Sequence, residues 1–289
     1  MNNNTRFTGI IAAGFTPMLA NGDLNLVKVP SIVNQLINEQ IKGFFVCGST
    51  GEGPSLTTEE RQKVAAAYVD ASAGRIPILV HVGHNSLRDA QKLASHAQDI
   101  GADAISLVPP SYFKPKSIEA LVSFMAEVAA CAPKLPFYYY HIPGITDVKI
   151  DVVELLRVGG ERIPTMAGIK YSKTTVYEMQ ACVEMDNGRF NVLFGSDEML
   201  LSGLCGGAHG AIGSTYNFAA PLFNKIVDAF AKNNITEAQR LQGLAVQMVN
   251  VIMQFDAQPS LKAMMSLVGL DCGPSRLPLV TLKPVSYTH

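Results

Sequence analysis

The chain has 289 residues, 23 basic against 24 acidic side chains for a net charge of −1, 48% hydrophobic and 16% charged residues, no Trp and five Cys. Near-zero net charge without a run of Lys or Arg excludes the electrostatic footprint that a nucleic acid or an anionic membrane surface requires. A chain this long buries roughly three quarters of its unfolded surface, enough for a single large core such as an α/β barrel of about 250 residues.

In chain order, short runs rich in β-branched or aromatic residues fall at Gly9 to Phe15, Gly43 to Cys47, Pro77 to Val82, Ala104 to Val108, Pro136 to Tyr140, Met166 to Lys170, Phe190 to Phe194 and Gly210 to Ser214. Most are apolar throughout instead of alternating, as strands covered on both faces should be, so a parallel sheet is expected. Helical patterns separate them. Val29, Ile32, Val33, Leu36 and Ile37 trace one apolar stripe. Capping-box spacing opens later helices at Thr57/Glu60, Thr175/Glu178 and Thr236/Gln239. Eight strand-helix units predict an α/β fold of the (β/α)8 barrel type over residues 1–230, with residues 231–289 as a C-terminal helical extension packed on it. Within that extension, residues 235–265 read as one helix carrying Leu241, Leu244, Ala245, Met248, Val251 and Ile252 on one face, and Pro274, Pro278 and Pro284 then break the pattern.

The charged fraction lies below the roughly 25% usual for soluble domains, and mean hydropathy is slightly positive at +0.18. Burial of surface between subunits accounts for both, and an oligomer is expected. The cysteines (Cys47, Cys131, Cys182, Cys205, Cys272) are odd in number, widely spaced and without a CxxC pair, which fits a reduced cytoplasmic protein. No stretch resembles a secretion signal, and no apolar run approaches the ~18 residues of a membrane span.

In a barrel of this kind, reactive groups gather where strands end and the following loops begin. Polar residues at those points are few: Gly48-Ser49-Thr50-Gly51-Glu52 after the second strand, Tyr138-Tyr139-Tyr140-His141 on the fifth, Lys170 on the sixth, Gly195-Ser196-Asp197-Glu198 after the seventh and Gly213-Ser214-Thr215 at the eighth. Lys170 stands apart, because Ala167-Gly168-Ile169-Lys170 carries an ammonium inside an apolar strand, where uncompensated burial is costly. It is either a structural lysine paired with a carboxylate or an amine nucleophile, since desolvation lowers an amine's proton affinity and exposes the lone pair that condenses with a ketone. A Schiff base also needs a proton carrier, and the phenol of Tyr140 ends the neighbouring strand, although a Tyr-rich strand taken alone is more often core. The small residues of Gly48 to Glu52 form either a cradle for a carboxylate or a tight turn before the helix capped at Thr57. His81 and His84 share a spacing seen at metal sites but have no acidic or Cys partner nearby, so no metal is expected. His141 and His209 flank the proposed strands and could support the site from behind.

The set GSTGE at 48–52, YYYHIPGIT at 138–146, GIKYS at 168–172, GSDE at 195–198 and GAIGSTYN at 210–217 resembles, in order and spacing, the N-acetylneuraminate lyase branch of the family that also contains dihydrodipicolinate synthase. The likeness covers residues from about 8 to 230 and continues loosely into the tail. It implies a homotetramer built as a dimer of dimers, and a class I aldolase that forms a lysine Schiff base with pyruvate and uses no cofactor. Carried over, it makes Lys170 the Schiff-base lysine and Tyr140 the proton shuttle. Ser49 and Thr50 would hold the pyruvate carboxylate, while Ser172, Gly195, Asp197, Glu198, Gly213 and Ser214 would bind the sugar portion. Tyr112 resembles a tyrosine that reaches a neighbouring subunit's site. His141 and Ser172 depart from common choices of Asn and Thr, removing no required group.

The implied reaction is reversible retro-aldol cleavage of N-acetylneuraminate, a sialic acid, to N-acetylmannosamine and pyruvate. Two other readings share the residues: a pyruvate-dependent aldolase for another aldehyde, and a barrel that senses pyruvate or a sugar acid without turnover.

Overall fold

The computed structural model describes residues 6–282, so Pro284, His289 and the first five residues lie outside the described part. Eight parallel strands close into a barrel in sequence order: β1 (Gly9–Ala13), β2 (Phe44–Val46), β3 (Ile78–His81), β4 (Ala104–Leu107), β5 (Phe137–His141), β6 (Met166–Tyr171), β7 (Asn191–Phe194) and β8 (Gly210–Gly213). All eight expected strands form, and β8 pairs back onto β1 through Gly9 and Gly210. Helices α1 (Val29–Asn38), α2 (Thr58–Ser72), α3 (Leu87–Asp99), α4 (Ile118–Ala129), α5 (Pro143–Thr146), α6 (Val152–Arg162), α7 (Val176–Gly188), α8 (Leu200–Cys205) and α9 (Tyr216–Ala231) follow the strands, and α10 (Ile235–Ile252) and α11 (Ala257–Leu267) come after them. None of the described helices is long and apolar enough to cross a membrane.

The two-residue period of a strand divides the core. Ile10, Phe44, Ile105, Tyr139, Ile169 and Val192 point outward against helix residues such as Leu36, Leu93, Leu121 and Leu155. Their neighbours Ile11, Phe45, Leu79, Ala104, Tyr138, Tyr140, Leu193 and Ile212 fill the barrel. Lys170 has the parity of the inner set: it pairs with Tyr140 on β5 and with Leu193 on β7. One layer deeper, Gly168 sits between Tyr138 and Asn191, and a Cβ there would run into the Asn191 carbonyl and stand 2.8 Å from the Tyr138 ring. Tyr138 then donates its hydroxyl to Asn191 Oδ1 at 2.9 Å, closing the floor beneath Lys170.

Helix starts follow local chemistry only in part. Thr57 and Glu60 make the full reciprocal box at the start of α2. At α7 the box does not form, because the Glu178 carboxylate is taken by the Tyr171 hydroxyl at 2.5 Å and by Lys173 at 2.9 Å. The cap of α10 is Asn234, whose side chain accepts from the Glu237 amide, two residues ahead of the expected Thr236. Nor is residues 235–265 one helix: the chain turns at residues 253–256 and restarts behind Asp256, with Pro259 in the first turn of α11, where a missing N–H leaves no intrahelical bond unmade. The extra turn swings α11 over the barrel mouth. There Gln242 of α10 also accepts from the Leu201 amide at 2.9 Å and reaches the Asp197 carbonyl at 3.3 Å.

Candidate active site

At the C-terminal ends of the strands one cavity is lined by Ser49, Thr50, Tyr140, Lys170, Ser172, Gly195, Asp197, Glu198, Gly213 and Ser214, together with Ile142, Ile145, Ile212, Thr215, Val249, Ile252, Met253, Gln258 and Leu261. The loops after β2 and β7 and the ends of β5, β6 and β8 thus meet where the barrel logic places reactive groups. The last five residues of the set come from α10, α11 and the turn between them, a contribution that no motif announces.

Lys170 is 5% exposed, with Nζ 4.2 Å from the centroid of the Phe45 ring and 4.1 Å from that of Tyr140. No carboxylate of the described residues pairs with it within 4.0 Å, which removes the ion-paired structural lysine as an explanation. Two aromatic faces thus enclose the amine where it lines the cavity. Tyr140 is 3% exposed and packs edge-on against Phe45, ring centroids 5.6 Å apart, and edge-on against His81 at 6.0 Å. Its ring orientation is therefore fixed by two partners.

Across the cavity, Thr50 Oγ1 lies 2.6 Å from Ser214 Oγ, and the Thr50 carbonyl accepts from Gln258 Nε2 at 2.7 Å. Ser49 beside it is half-buried. A Cβ at Gly48 would strike the Phe45 ring and one at Gly53 the Cys47 carbonyl, so the turn is glycine-built for close packing. Glu52, read from the sequence as part of the cradle, does not line the cavity. It occupies the left-handed region at φ 53° and points into a buried ion pair with Lys262, Nζ to Oε1 2.8 Å.

The opposite wall is acidic. Asp197 is buried, and its Oδ2 accepts from the Thr215 amide at 2.8 Å and hydroxyl at 2.7 Å. Burial raises its carboxyl above the ordinary range, against the lowering by the Thr215 hydrogen bonds and by the charge of Lys170. Glu198 is half-buried and raised as well, by burial and by the neighbouring Asp197 charge. A Cβ at Gly213 would collide with the Asp197 carboxylate and one at Gly195 with Ser172 Oγ, so both glycines make room for their neighbours. The Gly195 amide is spent on the Tyr171 carbonyl at 2.8 Å. Ser172 Oγ is buried with no hydrogen-bond partner, a free donor and acceptor facing the cavity.

Several sequence-selected residues lie elsewhere. Tyr112 is 80% exposed in the loop after β4, its ring edge-on to Phe113 at 5.0 Å, and it does not reach this chain's cavity. His209 stands at the other end of the barrel, before β8, against Arg6 at 2.7 Å, too far down to support the site. His141 has outward parity, stacks on Tyr171 at 5.3 Å, and is pushed down to about 4 by burial. His81 does touch the site, through the ring of Tyr140, and both its nitrogens are engaged, Nδ1 by the Cys47 carbonyl at 3.1 Å and Nε2 by the Val108 amide at 3.3 Å. Burial, then the nearby Arg61, whose Nη2 lies 3.2 Å from Nδ1, lower its pKa well below the ordinary range. His84 accepts from the Ser86 amide at 2.9 Å.

A lysine and a phenol on adjacent strands, with hydroxyls on one side and carboxylates on the other, suit Schiff-base chemistry on a substrate with an acid end and a polyol end. Comparison with known proteins agrees. Residues 6–288 match the model of the dihydrodipicolinate synthetase family. The chain belongs to that family. Among curated relatives, the N-acetylneuraminate lyase of Danio rerio is 43% identical over 286 residues, covering 97% of this chain and 93% of its own. The structure of the Proteus mirabilis N-acetylneuraminate lyase superposes with a TM-score of 0.95 at 34% identity, over 97% of this chain and 95% of that one. That of the Aliivibrio salmonicida N-acetylneuraminate lyase, or sialic acid aldolase, gives 0.95 at 37% identity, over 97% and 93%.

Proposed function

We infer that the protein is a class I aldolase that cleaves N-acetylneuraminate reversibly to N-acetylmannosamine and pyruvate. The observation that carries the chemistry is Lys170, an amine with no carboxylate partner among the described residues, enclosed by Phe45 and Tyr140 in the wall of the cavity. In this reading the Lys170 amine attacks the ketone of the open-chain sugar acid, and loss of water gives an iminium. Tyr140 takes the C4 hydroxyl proton, assisted by the substrate carboxylate, as the C3 to C4 bond breaks and its electrons pass into the iminium. N-acetylmannosamine leaves, the enamine is protonated at C3, and hydrolysis returns pyruvate and the free amine. Ser49 and Thr50 hold the carboxylate. Ser172, Asp197, Glu198 and Ser214 face the sugar, with Gly195 and Gly213 supplying the space.

Substrate choice rests on Ile145 and the two acids. In the synthase branch that the sequence resembles, the position of Ile145 matches an arginine gripping the second carboxylate of aspartate semialdehyde. Isoleucine offers that carboxylate no donor. Asp197 and Glu198 present acceptors suited to hydroxyl donors and unsuited to another anion. In a pyruvate-release assay across sialic acids and 2-keto-3-deoxy sugar acids, cleavage of N-acetylneuraminate is expected, and no condensation with aspartate semialdehyde. Glu198→Ala should lose about 1.5 to 3 kcal/mol of transition-state binding, roughly ten- to 150-fold in kcat/KM, with pyruvate still captured at Lys170. Asp197→Ala should lose at least as much, because it also frees Thr215. Wild-type sialic acid cleavage in both variants, or efficient use of the semialdehyde, would shift the assignment to another pyruvate aldolase.

The assembly is proposed as a homotetramer, a dimer of dimers, supported by the low charge and by the exposed pair Tyr112 and Phe113, 80% and 86% accessible in the single chain. Across such an interface Tyr112 would enter a neighbouring site. Light scattering at micromolar concentration should give four chains of 31.0 kDa; a monomer mass would remove both the interface and the role of Tyr112. We place the enzyme in the cytoplasm, with all five cysteines free thiols and small molecules as its partners, neither nucleic acid nor membrane.

A further inference from the structure

The loop that carries Ser49 and Thr50 is an unfavourable piece of backbone. Cys47 at φ 59° and Glu52 at φ 53° both occupy the left-handed region without being glycine, one on each side of the cradle. Such a conformation persists only where its surroundings hold it. Part of the hold is local: the Glu52 amide donates to the Ser49 carbonyl at 3.0 Å, the Gly53 amide to the Gly48 carbonyl at 3.0 Å, and Thr16 Oγ1 to the Gly51 carbonyl at 2.6 Å.

The rest comes from more than 200 residues away. Glu52 is fully buried, and both of its carboxylate oxygens are satisfied by the C-terminal tail: Oε1 accepts from Lys262 Nζ at 2.8 Å and Oε2 from the Arg276 amide at 2.9 Å. Lys262, 2% exposed, also donates to the Pro274 carbonyl at 2.7 Å, tying α11 to the segment after it. The Arg276 guanidinium reaches past Glu52 to the Ser55 carbonyl at 3.1 Å and to Glu60, the capping residue of α2, at 2.7 Å. One turn of α11 before Lys262, Gln258 donates to the Thr50 carbonyl at 2.7 Å. An apolar contact would fasten a tail to a barrel at least as well as a buried ion pair, but without fixing its register.

We propose that Glu52, Lys262 and Gln258 form a latch by which the C-terminal helices position the Ser49-Thr50 cradle, making them positioning residues for the pyruvate end of the substrate. The proposal rests on the aldolase reading. The acid wall is held by other bonds, Asp197 Oδ2 by Thr215 and the Asp197 carbonyl by Gln242, and the cradle meets the sugar-facing side through Thr50 Oγ1 and Ser214 Oγ at 2.6 Å, so loosening the latch should act most strongly at the pyruvate end.

The test is the apparent affinity for pyruvate, read from the concentration dependence of borohydride trapping, together with the KM values of both condensation substrates, in the full-length protein. Lys262→Met removes the cation and leaves the buried Glu52 carboxylate with the Arg276 amide alone. Gln258→Leu cuts only the bond to Thr50 and keeps the ion pair, so it reports even if Lys262→Met does not fold. Each variant that folds should require about tenfold more pyruvate for half-maximal trapping, the effect of misplacing donors to a carboxylate. The KM for N-acetylmannosamine should change less than about twofold, and trapping at saturating pyruvate should reach the parent level. A purely structural role would instead lower the trapped fraction with both KM values unmoved, and that result, or unchanged pyruvate affinity in folded Gln258→Leu, overturns the latch while leaving the aldolase reading intact. Failure of pyruvate to be trapped by the parent protein would overturn both.

Discussion

Lys170→Ala is expected to leave a folded barrel with no measurable cleavage of N-acetylneuraminate, a larger loss than removal of any other side chain in the cavity. In the proposed mechanism the lysine is not one contributor among several: the iminium is the electron sink for the breaking C3 to C4 bond, and without the amine that sink is never formed. Lys170→Arg should fail as completely, since a guanidinium stays protonated and has no lone pair to give. The fold should tolerate Lys170→Ala, because removing an ammonium enclosed by Phe45 and Tyr140 relieves a desolvation penalty while opening a cavity, two effects of opposite sign. Circular dichroism and thermal unfolding check the fold, and pyruvate release checks the activity. Turnover in Lys170→Ala within tenfold of the parent would place the nucleophile elsewhere.

Tyr140→Phe comes next in size. The substitution keeps the ring, and with it the edge contacts to Phe45 and His81 and the face presented to Lys170 Nζ, so only the hydroxyl is lost. Proton transfer by a positioned group is worth about 10² to 10⁴ in rate, and a loss of that order in kcat is expected with little change in Tm. A kcat within roughly tenfold of the parent would mean that another group, such as the substrate carboxylate, carries the proton.

The eight strands were legible because strands buried on both faces have no choice but to be apolar, and because their spacing leaves room for one helix each. Lys170 was legible for the complementary reason: a charge in such a strand contradicts its surroundings, and contradictions of this kind collect at functional sites. Less legible was whatever depends on competition. Thr175 and Glu178 have the spacing of a capping box, yet Tyr171 and Lys173 claim the glutamate first. The turn at residues 253–256 interrupts a continuous apolar stripe, with Asp256 and Pro259 as its faint local signs. Glu52 sits inside the most recognisable motif of the chain and still faces away from the cavity, because its partners, Lys262 and Arg276, lie 210 and 224 residues downstream. No window of sequence brings those together. His209 was misplaced for a simpler reason: it precedes β8, and only the closed barrel shows which end that is.

The most direct measurement is to reduce the protein with borohydride during turnover of N-acetylneuraminate and to map the modified peptide by mass spectrometry. The account predicts a single pyruvate-derived adduct on Lys170, with activity lost in proportion to the fraction modified. An adduct on any other residue, or full inactivation without an adduct, would contradict it.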